Sequence, residues 1–507
     1  MKNVFLSIGD NLSKLLSRGK AKENIKALEE TVQTMEKEII SMQEENKNLA
    51  KETEEYKQKV RNFDLVNEAL KAKPDENKFI KEFASLIEDD YKVGLCNNER
   101  GSNGAENIRQ LDNILNEIRL IANCPELHSK SIGAIGGGFS SGKSSFINSF
   151  FIDSHVKLAV GIKPVTAIPS YVINNKKSEV NGVSFRGGKF PISLDMYKEI
   201  SHDFMKTFDF DLKEIIKYAT VLVPMDNKYF EHLCLIDTPG YNPPNSGNTE
   251  NDLKTAYKYI GDADFLIWTI GIDTNGTIPK SDIDFLIKLE DFGINKDRHL
   301  YIVANKAQRK TQENIEAILD QFEETLDDND ISYEGISAYN SQKKELHSYR
   351  KRDLFSFLEE HNKSSKRYAE LKRQLFNVFK GYFIEANHDF DKKDEKRKEV
   401  KKLILQAFAG GNISIDDDDE SVKLEAGLND LLQYFQPKEQ KEIRLKRIQD
   451  LRDKFMDCLD NFCDKVGIER NVENFCQYCG KTIESGKKVC SKCESEHGNK
   501  SSTVKNK

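Results

Sequence analysis

The sequence predicts an α/β fold with a doubly wound, mostly parallel sheet, flanked by charged helical arms. Short apolar runs typical of buried parallel strands alternate with helical segments in the middle of the chain. A long heptad repeat precedes this region, and amphipathic helical patterns follow it. Because 507 residues are too many for one compact core, we expect several folded units.

Composition and charge exclude several classes of protein. Charged residues make up 32% of the chain, and 77 Lys and Arg nearly balance 84 Asp and Glu, which leaves a net charge of −7. This balance is typical of long solvated helices and argues against nucleic acid as a partner. No apolar run approaches the roughly 18 residues of a membrane span, and the first residues lack a small-residue cleavage site. We therefore expect a cytoplasmic protein.

Two helical segments are predicted at the N-terminus. Residues 1–18 form an amphipathic pattern that fits either a membrane surface or a short core helix. Residues 20–70 carry a coiled-coil repeat, in which Asn46 and Thr53 occupy seam positions that usually hold apolar side chains. The repeat leaves open whether the partner is another chain or the protein's own helices. The apolar seam positions are Ile25, Leu28, Val32, Met35, Ile39, Met42, Leu49, Tyr56 and Phe63.

Loops and changes of pattern divide the rest of the chain. The residues KAKPD (71–75) break the first long helix, and apolar strand-like runs begin at Ser131. The strand-like runs are Ile132 to Ile135, Leu233 to Ile236, Phe265 to Ile270 and Leu300 to Val303. The expected order is a helical arm over 75–130, the α/β domain over 131–347, a helical bundle or stalk over 350–470, a metal-binding module over 474–496 and a disordered tail over 497–507.

A glycine-rich motif follows the first of these strands. Residues 137–144 read GGFSSGKS, which matches G-x-x-x-x-G-K-[ST] between an apolar strand and a helix. Such a loop points its N–H groups at phosphates, while Lys143 reaches the β and γ oxygens and Ser144 binds Mg²⁺. The alternative is a glycine-rich turn without a ligand. The predicted phosphate-binding residues are Gly137, Gly138, Phe139, Ser140, Ser141, Gly142, Lys143, Ser144 and Ser145.

Further short motifs follow in a fixed order at the ends of later strands. Thr166 can place its hydroxyl on Mg²⁺. In the sequence DTPG, Asp237 can hold a magnesium-bound water and the Gly240 amide can meet the γ-phosphate. Together these elements predict a magnesium-dependent nucleotide site. The candidates for binding the base are Asn305, Lys306, Gln308, Ser337 and Ala338.

This ordered set resembles the GTPase superfamily, with Thr166 similar to switch I and DTPG similar to switch II. The loop GGFSSGKSS, the long gap from Thr166 to Asp237 and the segment DADFLIWTIGIDTNGTIPKSDIDFL are similar to dynamin-like proteins. Bacterial dynamin-like proteins, including the labile-enterotoxin-output type, are the relatives that it resembles most. The resemblance covers about 131–347. A C-terminal zinc module and a short helical region depart from the family pattern.

The resemblance implies a P-loop GTPase that hydrolyses GTP to GDP and phosphate with Mg²⁺. Dimerisation of the GTPase domain, together with the coiled coil, would move the helical arms in membrane remodelling or vesicle-related processes, with peripheral membrane association. Tyr241 follows DTPG where Ras-like enzymes carry a water-orienting glutamine. In dynamin-like proteins the phosphate-loop serine, here Ser140, positions the water and a monovalent cation, beside Lys143 and Thr166. Alternatively, Ser140 only hydrogen-bonds its own loop.

Gln308 departs from the aspartate that reads guanine in GTPases. An amide offers one acceptor oxygen and turns an NH₂ group toward a guanine donor. This exchange costs about 2–3 kcal/mol, or roughly 30- to 150-fold in guanine preference. Because an amide matches the edge of adenine, ATP is an alternative to GTP. Asp297 or another acid could substitute for the missing carboxylate.

Nine cysteines fall into two groups. Two C-x-x-C pairs, ten residues apart, predict a four-thiolate structural zinc ribbon that docks to a partner, with a redox dithiol as the alternative. The zinc ligands would be Cys476, Cys479, Cys490 and Cys493. A second hypothesis for the whole chain is therefore a nucleotide-gated scaffold, which recruits partners through its coiled coil and ribbon in a defence or signalling complex. The other cysteines, Cys96, Cys124, Cys234, Cys458 and Cys463, have the contexts of buried thiols.

Overall fold

A computed structural model describes the fold in two units, Met1–Glu68 and Ala69–Lys507. The predicted helix over 1–18 and the predicted tail over 497–507 lie outside the described residues. The described residues are 20–74, 77–96, 104–138, 140–158, 168–199, 215–238, 257, 259–261, 263–272, 276–289, 299–409, 437–468, 474–476, 481–484, 487 and 490–493.

The first unit consists, in its described part, of one long helix, α1 (Lys20–Lys71), which runs just past the unit boundary. The predicted seam positions from Leu28 to Leu49 are exposed on this helix. Leu65 and Val66, near the end of the helix, are buried. An apolar stripe therefore runs along α1 in the region of the heptad repeat.

The second unit contains two long helices and a set of shorter ones. The unit also contains a π-helix (Leu86–Cys96) and 3₁₀ turns at Pro125–Ser129 and Ala307–Arg309. The α-helices are α2 (Lys78–Ser85), α3 (Gly104–Asn123), α4 (Lys143–Asn148), α5 (Leu194–Glu199), α6 (Asn227–Phe230), α7 (Lys280–Lys288), α8 (Gln312–Asp328), α9 (Leu354–His361), α10 (Arg367–Ala409) and α11 (Pro437–Val466).

A ten-stranded mixed sheet, in the order β10-β9-β8-β7-β1-β6-β2-β5-β3-β4, forms the centre of the second unit. Its middle strands, from β9 to β6, are parallel, as the sequence predicts. The strands are β1 (Ser131–Gly136), β2 (Ser170–Asn174), β3 (Glu179–Ser184), β4 (Lys189–Pro191), β5 (Ile216–Val223), β6 (Leu233–Asp237), β7 (Phe265–Gly271), β8 (His299–Asn305), β9 (Gly335–Asn340) and β10 (Glu345–Arg350).

The register of the parallel strands places the predicted motifs at one edge. Strand β1 lies between β6 and β7, with Ile135 beside Asp237 and Gly136 beside Trp268. Strand β8, on the far side of β7, ends at Asn305. Because ligands of open α/β sheets bind at the carboxyl ends of such strands, the sheet places the phosphate loop and the candidate base-binding motif at one crevice.

Two parts of the sheet go beyond the sequence prediction. Four strands, β2 to β5, fill the long gap between Thr166 and Asp237, and β2 runs antiparallel to β6. The predicted domain end at His347 falls inside β10, which pairs antiparallel with β9. Helix α9 follows and packs Phe357 against β7 and β8. The α/β layer thus continues beyond residue 347, because an added edge strand and its helix cover the sheet.

The helices on either side of the sheet in sequence share one apolar core. Residues from α2, the π-helix, α3, α10 and α11 pack together. Ile114, Leu375, Phe379 and Phe455 are completely buried there. The predicted arm over 75–130 and the predicted bundle over 350–470 therefore meet in space. Within the described residues, no helix combines the length and apolar character needed to cross a membrane.

Candidate functional site

The glycine-rich loop joins β1 to α4 and depends on glycine at two positions. Gly137 and Gly142 have positive φ values of 141° and 92°. A Cβ atom at residue 142 would lie 2.4 Å from the Asn305 Nδ2 atom, and one at residue 137 would lie 2.3 Å from the Thr269 backbone oxygen. Only glycine satisfies both the backbone conformation and the space, so the loop closes tightly on its neighbours.

Ser140 lies at the exposed turn of this loop. Its φ is 59°, in the left-handed region that residues other than glycine rarely adopt. Such conformations concentrate at functional sites, where the surrounding structure holds them. Phe139, the predicted neighbour, lies outside the described residues. The conformation of Ser140 is therefore compatible with its predicted role beside a transferring phosphate.

Lys143, the first residue of α4, is buried under the loop. Its Nζ donates to the carbonyl oxygens of Gly137 at 3.0 Å and Gly138 at 3.1 Å. Burial lowers the pKa of the Lys143 ammonium to about 8, and the carboxylates of Asp237 and Asp282 oppose this shift. The Lys143 ammonium thus faces neutral carbonyl oxygens, to which a bound phosphate would add a stronger, charged acceptor.

The predicted magnesium ligands meet beside this lysine. The Ser144 hydroxyl donates to Asp237 Oδ2 at 2.8 Å, and both residues are buried. A hydroxyl and a carboxylate are hard oxygen ligands that Mg²⁺ prefers, so this pair fits the ion. The sequence also predicts Thr166 and Gly240 here, and both lie outside the described residues.

Asn305, at the end of β8, ties the predicted base-binding side to the phosphate loop. Its Nδ2 donates to the carbonyl oxygens of Ser141 at 3.2 Å and Gly142 at 3.1 Å. Its Oδ1 accepts hydrogen bonds from Ser341 Oγ at 2.7 Å and from the Lys306 N–H at 2.8 Å. All its described bonds are internal, which makes Asn305 a brace between two loops.

Gln308 lies in the 3₁₀ turn that follows Asn305. Its Oε1 is buried, and no donor in the described part of the chain lies within hydrogen-bond distance of it. A buried acceptor without a donor is costly, which suits a position that receives a donor from a nucleobase. Guanine N1–H and adenine N6–H are both donors, so this geometry fits either base.

The last predicted base-binding residues lie in β9. The Ser337 hydroxyl bonds to Tyr301 Oη at 2.6 Å and accepts from the Leu354 N–H at 3.2 Å. That hydroxyl therefore anchors α9 to the sheet, and Ala338 beside it is completely buried. Asp297, the suggested substitute carboxylate, lies outside the described residues.

Two residues behind the phosphate loop, Thr269 and Asp282, were not predicted. The Thr269 hydroxyl donates to the Gly136 carbonyl at 3.1 Å and bonds to Ser141 Oγ at 2.8 Å. Asp282, which is 3% exposed, accepts from Trp268 Nε1 at 3.0 Å, and burial raises the pKa of its carboxyl group. Asp282 lies in the first turn of α7, a helix distant in sequence from the loop, so only tertiary packing identifies it.

The C-terminal cysteines meet in space. Strands β11 (Asn474–Phe475) and β12 (Thr482–Ile483) form a hairpin next to them. The thiols of Cys476, Cys490 and Cys493 are buried, with their sulfur atoms within 4.8 Å of one another. This donor set fits a tetrahedral zinc ion. The fourth predicted ligand, Cys479, lies outside the described residues.

A second group of potential ligands lies at the amino ends of the parallel strands β8 and β9, away from the phosphate loop. His299, Glu334 and His361 place one ligand atom each within 4.8 Å. Arg352 Nη1 donates to Glu334 at 2.9 Å and also contacts Glu360 at 2.7 Å. Since a guanidinium already balances the Glu334 carboxylate, we interpret this group as an ion-pair cluster.

The buried thiols outside the C-terminal group are unreactive. Cys124 and Cys234 are at most 1% exposed, and burial raises the pKa of both thiols. Cys458 and Cys463 are buried in the helical core, whereas the side chain of Cys96 lies outside the described residues. A protonated, inaccessible thiol is a poor nucleophile and metal ligand. These four cysteines are structural.

A glycine-rich loop with a buried lysine, and a Ser–Asp pair at the carboxyl ends of parallel strands, define a P-loop nucleotide-binding fold. Residues 134–307 match the family model described as Dynamin family. This segment, about a third of the chain, is therefore similar to the dynamin family, in line with the resemblance noted in the sequence. No curated protein matches the chain.

Solved structures to which the chain is similar include two of an oligomerised bacterial dynamin pair, described as a mechanism for long-range sensing and tethering of membranes. The first is 16% identical with a TM-score of 0.38, over 73% of this chain and 67% of that chain. The second is 15% identical with a TM-score of 0.35, over 66% and 49% of the two chains. A bacterial selenocysteine-specific elongation factor has a TM-score of 0.24 at 15% identity, over 43% and 26%.

Proposed function

We propose that the protein is a dynamin-like GTPase that hydrolyses GTP to GDP and phosphate with Mg²⁺. The observation that carries this proposal is the Ser144–Asp237 hydrogen bond of 2.8 Å beside buried Lys143, within the segment that matches the dynamin family. The Ser144 hydroxyl and the Asp237 carboxylate would hold Mg²⁺ together with Thr166. Bound Mg²⁺ supplies positive charge to the β- and γ-phosphate oxygens.

The protein's own residues stabilise and orient the phosphates. Lys143 faces the carbonyl oxygens of Gly137 and Gly138, so a γ-phosphate oxygen would become a third, stronger partner for its ammonium. Ser140, exposed at the turn, would position the attacking water and a monovalent cation once a second GTPase domain covers it. The Gly240 amide would donate to the γ-phosphate. Lys143, Ser140 and Thr166 form the proposed catalytic set.

We propose GTP as the nucleotide, with ATP as the alternative. Asn305 donates to the carbonyl oxygens of Ser141 and Gly142 in the phosphate loop, which supports the guanine pocket that the resemblance to GTPases implies. Against it, the Gln308 amide lacks the carboxylate that accepts both guanine donors. A second acidic residue near the base would compensate for this loss.

We further propose that nucleotide-dependent dimerisation of the GTPase domain moves the helical bundle at a membrane surface. The dynamin-family match and the shared core of α2, α3, α10 and α11 support a bundle that moves as one body. The bacterial dynamin pair named above tethers membranes, and the same role is proposed here. The closer relation to the labile-enterotoxin-output type stays a prediction.

A nucleotide-gated scaffold is the second candidate function. The cluster of Cys476, Cys490 and Cys493 and the exposed stripe of α1 favour it, because both are features that bind partners. On this proposal the four C-terminal thiolates hold structural zinc, and hydrolysis acts as a timer. A zinc content of about one ion per chain in the wild type, and loss of that zinc in each of the variants Cys490→Ser and Cys493→Ser, would support the ribbon.

Two measurements on the purified chain test these proposals. Hydrolysis and binding are compared for GTP and ATP, with Mg²⁺ and with a chelator. Turnover of GTP that requires Mg²⁺ supports the GTPase, whereas tight ATP binding without detectable GTP binding contradicts the nucleotide. Co-sedimentation with vesicles, with and without a GTP analogue, separates the two roles. Absence of vesicle binding in both states, with stable complexes to other proteins, favours the scaffold.

A further inference from the structure

One face of α1 carries a long apolar stripe that stays exposed in the described structure. Its members between residues 28 and 49 are 37% to 59% exposed, at a spacing of alternately four and three residues as far as Met42, with Leu49 seven residues further on. Contiguous apolar surface on a charged helix of 52 residues marks an interface rather than a solvated face. The stripe members used here are Leu28, Val32, Met35, Ile39, Met42 and Leu49.

The side chains of the stripe favour a particular number of strands. In heptad terms, position a holds the β-branched Val32 and Ile39, whereas position d holds leucine and methionine, neither of which is branched at Cβ. This distribution favours two-stranded parallel coiled coils over trimers and tetramers. The stripe therefore calls for one further helix of the same kind.

Charged residues on the heptad repeat, just beyond the end of the stripe, determine which helix can pair with α1 and in which direction. In a parallel, in-register pair, Glu52 faces Lys57 of the second copy, and Lys59 faces Asp64 of the second copy. Every such pair occurs twice by symmetry, and the remaining pairs along the stripe bring no like charges together. We propose that α1 pairs with α1 of a second copy of this chain as a parallel, in-register, two-stranded coiled coil.

The antiparallel arrangement brings like charges together. In the antiparallel alignment that pairs the whole repeat from Ile25 to Phe63, positions g face each other, so that Glu38 meets Glu52 and Glu45 meets its own counterpart. The same alignment also brings Glu29 opposite Lys57 at positions e. Like charges weaken a coiled coil, so the charges favour the parallel pair, which has opposite-charge contacts and no like-charge contacts.

Asn46 supports the same register. It occupies position a, and its side chain is exposed with the stripe around it. A parallel in-register pair brings Asn46 opposite its own counterpart, where the two amides can hydrogen-bond each other. In an antiparallel pair Asn46 would face an apolar d residue and lose that partner. A single polar layer of this kind fixes the register of two strands at some cost in stability.

The direction of pairing has a consequence for the rest of the protein. The unit Ala69–Lys507 follows the C-terminal end of α1 in each chain. Parallel pairing attaches both nucleotide-binding units to the same end of the coiled coil. Antiparallel pairing would attach them to opposite ends of a rod of roughly 70 Å. A parallel pair would thus keep two GTPase domains together before any nucleotide binds.

Charge exchange in the full-length chain tests the proposal without nucleotide, so its result is independent of GTP hydrolysis. By analytical ultracentrifugation we expect a wild-type dimer, and about tenfold weaker dimers for Glu52→Lys and for Lys57→Glu, because each creates two like-charge contacts. An equimolar mixture of the two variants should regain wild-type affinity as a heterodimer. Glu44→Lys, on the outward face, makes the same charge change and should have no effect.

Three outcomes would overturn the parallel pair. The first is a chain that stays monomeric at about 100 µM, which would assign the stripe to a different protein. The second is Glu52→Lys dimerising more tightly than wild type, as an antiparallel pair predicts. The third is a dimer that none of the substitutions affects, which would place the interface elsewhere. Circular dichroism of each variant establishes that the helix remains folded.

Discussion

The two halves of the nucleotide site differ in how completely the structure specifies them. In the phosphate half, Lys143, Ser144 and Asp237 are buried. Lys143 donates to two carbonyl oxygens of the loop, and Ser144 donates to Asp237, at distances of 2.8 to 3.1 Å. In the base half, Gln308 keeps a buried acceptor without a described donor. Phosphate binding uses backbone geometry and charge, which suit any nucleoside triphosphate. The proposed base half would decide which nucleotide binds, and within it Gln308 departs from the aspartate that the resemblance to GTPases implies.

The largest effect should come from the phosphate half. Lys143→Ala removes the ammonium that compensates charge on the transferring phosphoryl group, so hydrolysis of GTP and ATP should both fall to background. Lys288→Ala, an exposed lysine on α7, is the matched control and should keep full turnover. Steady-state phosphate release measures both. Retained turnover in Lys143→Ala would show that the nucleotide site lies elsewhere.

Gln308→Asp tests the base half alone. A carboxylate accepts both guanine donors, so the ratio of GTP to ATP affinity should rise roughly 30- to 150-fold, or about 2–3 kcal/mol. Affinity for free triphosphate should stay unchanged, because the phosphate half is intact. Gln321→Asp, an exposed position on α8, controls for the added charge. An unchanged ratio by calorimetry would mean that another acid already reads guanine.

The pH dependence tests the phosphate half again, with a smaller effect. The pKa of Lys143 in the free protein is about 8, and a bound phosphate holds the lysine protonated. Affinity should therefore be complete below pH 8 and fall about tenfold between pH 7 and pH 9. At pH 8 binding should take up about half a proton, which calorimetry in two buffers measures. A flat profile with no proton uptake would contradict the lowered pKa.

The smallest effect should come from behind the loop. Thr269→Val removes bonds to the Gly136 carbonyl and Ser141 Oγ, so affinity for GTP and ATP should fall equally, by about five- to tenfold. Thr220→Val, at a buried position in β5, lowers stability without touching the site. Unequal losses for the two nucleotides would show that the two halves are coupled through Asn305.

The sequence predicted the phosphate half because its motif is local. Gly137 to Ser144 form one continuous sequence motif, and the flanking strand and helix follow from the apolar pattern. Asp282 and Thr269 escaped prediction, since they lie on α7 and on the neighbouring strand β7, more than 120 residues away from the loop in sequence. The strands β2 to β5 escaped as well, because their antiparallel flank carries no motif.

The sequence by itself determined the order of nucleotide motifs, the heptad stripe of α1 and the positions of the C-terminal thiols. Each is a short-range pattern, so spacing along the chain defines it. Tertiary structure alone decided that residues 75–130 and 350–470 share one core, and that the apolar face of α10 is buried while that of α1 is exposed. The physical reason is that periodicity shows that a face needs covering, whereas only packing shows which surface covers it.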